Sequence, residues 1–174
     1  MADSPSSPAS SPIRQRLKDR NVRRVLRLIF IAAAAWLFFS RVCRPMILSG
    51  RSMMPSYPER GLVLCWYPAY WFSEPKRGEA AVFFVGGDRI AVLKRILAFE
   101  GETVECRAGD FYINGEKLSE PYVKYKSPDW NIQPFRVAEG FVYIMGDNRS
   151  MPLEEHMAGE TARRRLAGKP LVLW

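Results

Sequence analysis

The stretch AAVFFVGGDRIAVLKRIL, residues 80–97, decides the fold class of this chain. It holds two apolar runs of strand length, residues 80–85 and 89–97, and a Gly-Gly-Asp sequence at 86–88 separates them. Apolar runs of this length, rich in β-branched and aromatic residues and bounded by turn-forming residues, are typical of buried strands. The stretch therefore predicts two strands.

The chain after residue 45 carries further strand signals and no long amphipathic helix pattern. Residues 111–118, FYINGEKL, predict a hairpin because the central Asn-Gly suits a type I′ turn. Residues 141–145, FVYIM, predict another strand. Residues 119–140 contain three prolines and predict an irregular connection, to which we assign no function. We therefore expect a mainly β domain with antiparallel strands.

One charged residue stands within the second apolar run. If residues 90–97 form a strand, Lys94 shares a face with Ile90, Val92 and Ile96, so we expect that face to be buried. Burial disfavours the charged form of lysine and lowers its pKa by up to roughly 3–5 units. A buried Lys94 is therefore a candidate general base, although a lysine in a strand is usually solvated.

A candidate nucleophile lies upstream, in SGRSMMPS, residues 49–56. A serine hydroxyl needs a neighbouring base that takes its proton. The only histidine, His156, follows two glutamates, and we expect no apolar setting to hold it. A serine with a lysine base is the other known solution, which favours Ser52 and Lys94. Taken alone, the stretch also fits an ordinary loop.

Four stretches in the same order resemble the conserved boxes of the type I signal peptidases, which are membrane-anchored serine proteases with a lysine base. The first is SGRSMMPS at 49–56, and the second is PKRGEAAVF at 75–83. The third is LKRI at 93–96 followed by GETV at 101–104, and the fourth is MGDNR at 145–149. The resemblance covers residues 49–149.

The resemblance implies Ser52 as nucleophile and Lys94 as general base, without metal or cofactor. It also implies a partly barrel-like catalytic domain. The substrates implied are secreted preproteins, whose signal peptides carry small residues just before the cleaved bond. An extended substrate would pair with an exposed strand edge near the serine, and residues 80–84 and 89–94 are candidate strands.

Two departures from the family pattern concern the groups around this pair. Some relatives have a serine two positions before the nucleophile that donates to the oxyanion, whereas this chain has Gly50. The backbone N–H of Ser52 is the natural first donor, and Ser49 is a weak candidate for the second.

The second departure follows residue 149, where the family continues x-x-Ser-x-Asp-Ser-Arg. This chain places Pro152, Glu154 and His156 at the serine, the aspartate and the arginine. We expect Arg95 to pair with Glu154 or with Asp147. Ser150 is a candidate replacement for the missing hydroxyl contact to the lysine.

The N-terminal part differs in composition from the rest. Residues 1–12 are Ser/Pro-rich and predict a disordered tail. Residues 1–44 hold nine Lys and Arg against two acidic residues, whereas residues 45–174 hold seventeen against sixteen. The net charge of +8 therefore belongs almost wholly to the N-terminal part, and we do not expect nucleic acid as a partner.

Residues 13–44 consist of a basic segment followed by an apolar segment, and this order is typical of membrane-targeting sequences. The strict apolar run, 28–39, fits a cleaved signal peptide, whereas 25–43 is about long enough to span. The flank at 39–43 lacks a small-x-small cleavage pattern, so we favour an uncleaved transmembrane anchor ending before Pro45. The N-terminus then stays cytoplasmic, and the protease domain, residues 45–174, lies outside the cytoplasm at the cell membrane.

Several features stay open. The aromatic residues of 61–72 fit either a core strand and loop or a patch at the lipid head groups. Only a few residues separate Pro45 from Ser52, so the active site would lie close to those head groups. Three cysteines without Cys-x-x-Cys spacing make a zinc site unexpected, and a Cys65–Cys106 disulfide is an option.

Three alternative functions remain. A maturation protease of conjugative transfer would share the motifs, and transfer genes nearby would favour it. A self-cleaving repressor-like protein would need a DNA-binding helix-turn-helix, for which the anchor leaves no room. A non-catalytic, membrane-anchored binding module would explain the altered stretch 152–156.

Overall fold

The structure is a computed structural model that describes residues 12–85 and 90–173, with side chains described for residues 20–85 and 90–171. One α-helix, α1, spans Pro12–Arg41. The strands are β1 Cys43–Ser49, β2 Arg60–Trp66, β3 Ala80–Val85, β4 Ile90–Phe99, β5 Thr103–Arg107, β6 Asp110–Ile113, β7 Glu116–Lys117, β8 Ile132–Arg136, β9 Phe141–Met145, β10 Gly159–Ala162 and β11 Leu166–Leu173. Short 3₁₀ turns span Tyr67–Tyr70, Leu153–Glu155 and Arg163–Arg165.

The strands form two antiparallel sheets, which confirms the prediction of a mainly β, antiparallel fold. The larger sheet has the order β1-β2-β11-β3-β4-β9-β10, and the smaller has the order β7-β6-β5-β8. Strands β1 and β10 end the larger sheet, and within the described residues they do not pair with each other. The expected barrel-like closure is therefore not found, because the sheet stays open at two edges.

Strand β4 lies inside the larger sheet, and from Leu93 onward it is covered on both sides. Leu93 packs in one cluster with Val82, and Ile96 packs in another with Phe83. A third cluster, around Leu97, extends to the smaller sheet. Because both faces are covered, the strand needs a nearly continuous apolar run rather than strict alternation. This is the run that the sequence shows.

The predicted hairpin is present. Its strands β6 and β7 join through Asn114 and Gly115, which have φ angles of 53° and 85°. Positive φ at both central residues defines the type I′ turn, and Asn-Gly is the pair that adopts it at low cost. The predicted strands at 80–85 and 141–145 are present as β3 and β9. The turn at 86–88 lies outside the described residues.

Residues 119–140 are not wholly irregular, which corrects the sequence prediction. They contain β8, which pairs with β5 at Phe135 and Arg136. Four of the five β8 residues are exposed, and an exposed strand needs no apolar pattern in its sequence. The segment is a strand because it pairs with β5. Trp130, just before it, is buried in the core.

Helix α1 up to Ser40 forms a unit of its own, and the described residues from Arg41 onwards form the other compact unit. The helix covers most of the predicted anchor at 25–43 and ends at Arg41, four residues before Pro45. Strand β1 begins two residues later, at Cys43, which pairs with Trp66 of β2. Of the predicted disordered tail at 1–12, residues 1–11 lie outside the described part of the chain.

No helix in the described part of the chain is long and apolar enough to cross a membrane. The expected transmembrane helix is therefore not confirmed. Arg27 and Arg41 bound the apolar stretch of α1.

The aromatic stretch after β2 is partly buried and partly exposed. Tyr67 and Tyr70 pack against core clusters. Trp71 and Phe72 are exposed, with 60% and 95% of their surface accessible. The cysteines are all free and buried, and Cys65 and Cys106 lie in different core clusters. The optional Cys65–Cys106 disulfide is therefore not formed.

Candidate active site

The structure brings together Ser52 and Lys94, which are 42 residues apart in the sequence. Ser52 lies in the loop between β1 and β2, and Lys94 lies in β4. The Nζ atom of Lys94 is 2.7 Å from the Oγ atom of Ser52, which is hydrogen-bond distance. In the described part of the chain, this is the only hydrogen bond of the Lys94 side chain. A serine hydroxyl and an amine at this distance can exchange a proton directly.

The loop that carries Ser52 is shaped by its own backbone hydrogen bonds. The N–H of Gly50 donates to the carbonyl of Glu59 at 2.9 Å, and the N–H of Met54 donates to the carbonyl of Arg51 at 3.1 Å. Gly50 has a φ of 130°, which residues with side chains adopt only under strain. The loop therefore favours glycine where some relatives have a serine, although the space beside Gly50 is open.

Lys94 is buried, with 3% of its surface exposed, and so is Ile96 on the same predicted face, whereas Ile90 at the start of that face is 50% exposed. Burial lowers the pKa of Lys94 from 10.5 to about 8, and the negative charge of Asp147 opposes this lowering. A substantial fraction of Lys94 is therefore neutral just above neutral pH. Only the neutral amine can accept a proton, so burial gives the lysine the chemistry of a general base.

Arg95, the next residue, pairs with Asp147. Its Nε and one terminal nitrogen donate to the two carboxylate oxygens at 2.8 and 2.5 Å. Its other terminal nitrogen donates to the carbonyl of Gly78 at 2.6 Å, and the guanidinium lies 3.7 Å from the ring centroid of Tyr122. Of the two predicted partners, Asp147 forms the pair. Glu154 does not, because it is exposed and lines a separate cavity with Trp130.

The loop after β9 contacts the loop at 50–59 that carries the candidate nucleophile Ser52, called the nucleophile loop below, and the sequence analysis missed this contact. The backbone N–H of Asn148 donates to the carbonyl of Ser52 at 2.9 Å, and its side-chain Nδ2 donates to the carbonyl of Arg51 at 3.1 Å. A Cβ placed on Gly146 would lie 2.3 Å from the Ser52 carbonyl oxygen. The motif at 145–149 indicated that this loop belongs to the site. Its spacing does not show that Asn148 is the residue that contacts Arg51 and Ser52.

Ser150 does not contact Lys94, which corrects the expected replacement of the missing hydroxyl. Its Oγ donates to Oδ1 of Asn148 at 2.6 Å, and its N–H donates to the same oxygen at 3.3 Å. The two-residue difference in register from the family serine explains this result, because the side chain faces Asn148. Pro152, at the family position, has no hydroxyl.

His156 is buried, contrary to the sequence expectation. Its ring packs edge-on against Trp130 with centroids 4.9 Å apart. Burial lowers the pKa of His156 to about 4, and the charge of Lys94 adds to the lowering. Within the described residues neither ring nitrogen has a hydrogen-bond partner. His156 is therefore neutral at pH 7 and is not bonded to the Ser52 hydroxyl.

A buried ion pair supports the loop after β9, and no sequence motif indicated it. A terminal nitrogen of Arg149 donates to Glu120 at 2.6 Å, and its Nε donates to the carbonyl of Gly146 at 2.6 Å. Both side chains are almost completely buried. The Arg149 guanidinium lies over the Phe111 ring, 4.6 Å from its centroid. The pair connects the segment at 119–130 to the loop that holds the Ser52 carbonyl.

A cleft of about 370 Å³ opens over Ser52 and Lys94. Its apolar and charged walls include Ile47, Leu48, Arg51, Met53, Tyr57, Ile90, Val92, Met151, Glu155 and Met157. A larger cavity of about 700 Å³ lies between Tyr70 and Arg163 and contains neither Ser52 nor Lys94. Among the described residues no group of three or more His, Cys, Asp and Glu side chains could hold a metal ion.

A β domain with a serine hydroxyl against a buried lysine is the arrangement of serine peptidases that use lysine in place of histidine. Comparison with known proteins makes this class more specific. A family model described as "Signal peptidase, peptidase S26" matches residues 22–174. The chain therefore belongs to the peptidase S26 family of signal peptidases.

The chain is also similar to individual curated proteins and to a solved structure. A probable signal peptidase I-1 from Synechocystis is 30% identical over 155 residues, which are 84% of this chain and 78% of the relative. A signal peptidase I from Leptolyngbya laminosa is 27% identical over 94% of this chain and 80% of the relative. A crystal structure of a signal peptidase I from Enterococcus faecalis, at 30% identity, covers 59% of this chain and 98% of that chain, with a TM-score of 0.45.

Proposed function

We propose that the protein is a serine endopeptidase that removes signal peptides from exported preproteins, with Ser52 as nucleophile and Lys94 as general base. The observation that carries the proposal is the 2.7 Å contact between Lys94 Nζ and Ser52 Oγ, made by a buried lysine at the base of an open cleft. Family membership supports the reaction type.

The reaction follows from these two groups. Neutral Lys94 accepts the hydroxyl proton as Ser52 Oγ attacks the carbonyl carbon of the scissile bond. The carbon–nitrogen bond then breaks, and the protonated lysine gives its proton to the leaving amine, which leaves an acyl ester on Ser52. Water attacks this ester with Lys94 again as base, and the proton returns to Ser52 as its oxygen leaves.

The oxyanion of each tetrahedral intermediate needs a donor. The backbone N–H of Ser52 has no acceptor among the described residues, so it is free to donate to that oxygen. Gly50 lines the cleft and supplies no hydroxyl. Ser49 also lines the cleft, and it remains the candidate for the second donor.

The substrate would bind as an extended strand in the cleft. Of the candidate strands, β3 is paired on both sides, with β4 and β11, so it is not available. The first half of β4 pairs only with β3, because its pairing with β9 begins at Arg95. Strand β1 is an edge strand. The free edges of β1 and of β4 at 90–93 both border the cleft and fit an extended peptide.

We also propose that α1 holds the protein at a cell membrane, with lipid as its partner. Its apolar side chains between residues 25 and 39 are exposed, among them Phe30 at 75% and Trp36 at 71%. The excess of Lys and Arg in residues 1–44 supports a cytoplasmic N-terminus, with the protease domain at 45–174 on the opposite side. Protease added to sealed spheroplasts should then digest this domain.

The test of the proposed activity is cleavage of a preprotein with an Ala-x-Ala site by the detergent-purified full chain. Wild type should cut, while Ser52→Ala and Lys94→Ala should each lose activity by at least about 10³-fold. Ser73→Ala and Lys117→Ala are matched controls, because both side chains are exposed and absent from the cleft walls. A folded wild type that binds the preprotein without cutting it would favour the binding module.

A further inference from the structure

We propose that Asn148 and Ser150 are positioning residues that orient the Arg51–Ser52 peptide unit, so that the Ser52 N–H points at the developing oxyanion. The proposal rests on the activity proposed above and assigns a role to two polar side chains outside the Ser52–Lys94 pair. Neither side chain contacts Lys94, so they act through the nucleophile loop.

The geometry of a trans peptide connects the two ends of this unit. Its carbonyl and its N–H point in opposite directions, so an atom that fixes the carbonyl of Arg51 also fixes the direction of the Ser52 N–H. The Nδ2 atom of Asn148 binds that carbonyl at 3.1 Å from the protein side. The Ser52 N–H is then held away from Asn148 and has no acceptor in the described structure.

A second donor to the Arg51 carbonyl does a different job. The N–H of Met54 also binds it at 3.1 Å, but Met54 belongs to the same turn and moves with it. Asn148 follows β9, which pairs with β4, the strand of Lys94. The Asn148 bond therefore sets the position of the peptide unit relative to the base, which the Met54 bond cannot do.

Ser150 fixes which way the Asn148 amide faces. The Ser150 N–H can only donate, and it binds one end of the amide at 3.3 Å, so that end must be the oxygen Oδ1. The Ser150 hydroxyl adds a second donor to Oδ1 at 2.6 Å. The NH₂ end then necessarily faces Arg51, whose carbonyl can only accept.

The test is steady-state cleavage by the full chain with Asn148→Ala. This change leaves the backbone bond from residue 148 to the Ser52 carbonyl in place, and it removes the bond to Arg51 together with the two bonds that Ser150 donates to Oδ1. Misplaced oxyanion donors cost on the order of 10²-fold in rate. We expect kcat to fall by about that factor, while KM and the pH of half-maximal activity stay unchanged.

Ser150→Ala removes one hydroxyl from an exposed residue, so it should fold normally and lower kcat by roughly 3- to 10-fold. Ser150→Thr, which keeps the hydroxyl, should restore the rate. A peptide aldehyde that forms a hemiacetal with Ser52 should bind Asn148→Ala more weakly by the factor lost in kcat. Asn131→Ala is the matched control, because Asn131 also bonds backbone at both ends of its amide, but its partners are Ala108 and Asp129 and not the loop that carries Ser52.

The outcomes separate the two levels of the argument. If wild type cuts and folded Asn148→Ala and Ser150→Ala both keep their kcat, the positioning role is wrong. A rise in KM or a shifted pH profile in place of the loss in kcat would show general disorder of the site and would overturn it as well. Failure of wild type to cut, or full activity of Ser52→Ala, would instead overturn the proposed function.

Discussion

Arg95, the residue after Lys94, donates hydrogen bonds to both carboxylate oxygens of Asp147, at 2.8 and 2.5 Å. The Arg95 and Asp147 charges neutralise each other beside Lys94. The Asp147 carboxylate is bound to Arg95, so Lys94 has no carboxylate as a hydrogen-bond partner among the described residues. The negative charge of Asp147 raises the pKa of Lys94, and the bound Arg95 guanidinium opposes that effect. Lys94 and Arg95 are adjacent in one strand, yet the pKa of Lys94 is lowered and the pKa of Arg95 is raised.

Asp147→Asn should lower the free energy of unfolding by roughly 3 kcal/mol, because it leaves the Arg95 charge buried without its partner. It should also lower the pKa of Lys94 below about 8, since Asp147 raises that pKa. The acid limb of kcat/KM should therefore move to lower pH. Urea unfolding and a pH profile measure the two effects.

Asp110→Asn is the control for this variant, because Asp110 pairs with Lys117 and Lys126 near the surface. It should change stability little and leave the pH profile in place. An unmoved acid limb in Asp147→Asn would contradict the electrostatic coupling between Asp147 and Lys94.

The activity of wild type should rise with pH. The proposed base is the neutral form of Lys94, and its pKa is lowered to about 8 by burial, so kcat/KM should rise tenfold per pH unit below that value and level off above it. Cleavage of a fluorogenic peptide from pH 5 to 10 measures this. A half-maximum at or below about pH 6.5 would point to His156 as the base.

Lys94→Met should be inactive yet more stable than wild type at pH 7. The folded pKa of about 8 lies below the ordinary 10.5, so folding carries the full cost of a buried charge at any pH below about 8. That cost is roughly 3 kcal/mol, and it disappears as pH rises towards 10.5. The gain in unfolding free energy should therefore shrink between pH 8 and 10.5, and a gain independent of pH would contradict the account.

Much of the fold follows from local pattern, because strands and tight turns are encoded by neighbouring residues. The run at 89–97 and the Asn114-Gly115 turn are examples. Strand β8 was missed because its residues are exposed and its structure depends on pairing with β5, which no local window contains. The open sheet order likewise depends on distant pairings.

The site divides in the same way. The proximity of Ser52 and Lys94 could be predicted because the resemblance carries information about residues 42 positions apart. The partners of Ser150 and Glu154 could not, because they depend on the direction of single side chains in a stretch that departs from the family. His156 was misjudged because its apolar neighbour, Trp130, is remote in sequence.

Gly146→Ala should disable the site by moving the nucleophile. The added Cβ would lie 2.3 Å from the Ser52 carbonyl oxygen and 2.9 Å from Nδ1 of His156, so the backbone of the nucleophile loop would have to shift. A displacement of about 1 Å costs on the order of 10²-fold in rate. Gly61→Ala, whose Cβ meets only Pro58 Cγ at 3.3 Å, should keep most activity. Equal activity of the two variants would contradict the close approach.

His156 should make the fold sensitive to acid. Its pKa is lowered to about 4 from an ordinary 6.5, so between these values the unfolded chain binds a proton that the folded chain excludes. The corresponding stability is fully present above pH 6.5 and is lost as pH falls to about 4, by roughly 3 kcal/mol. His156→Leu removes the titrating group, so its unfolding free energy should vary less with pH in that window. Parallel pH curves for the two proteins would show that other groups cause the acid loss.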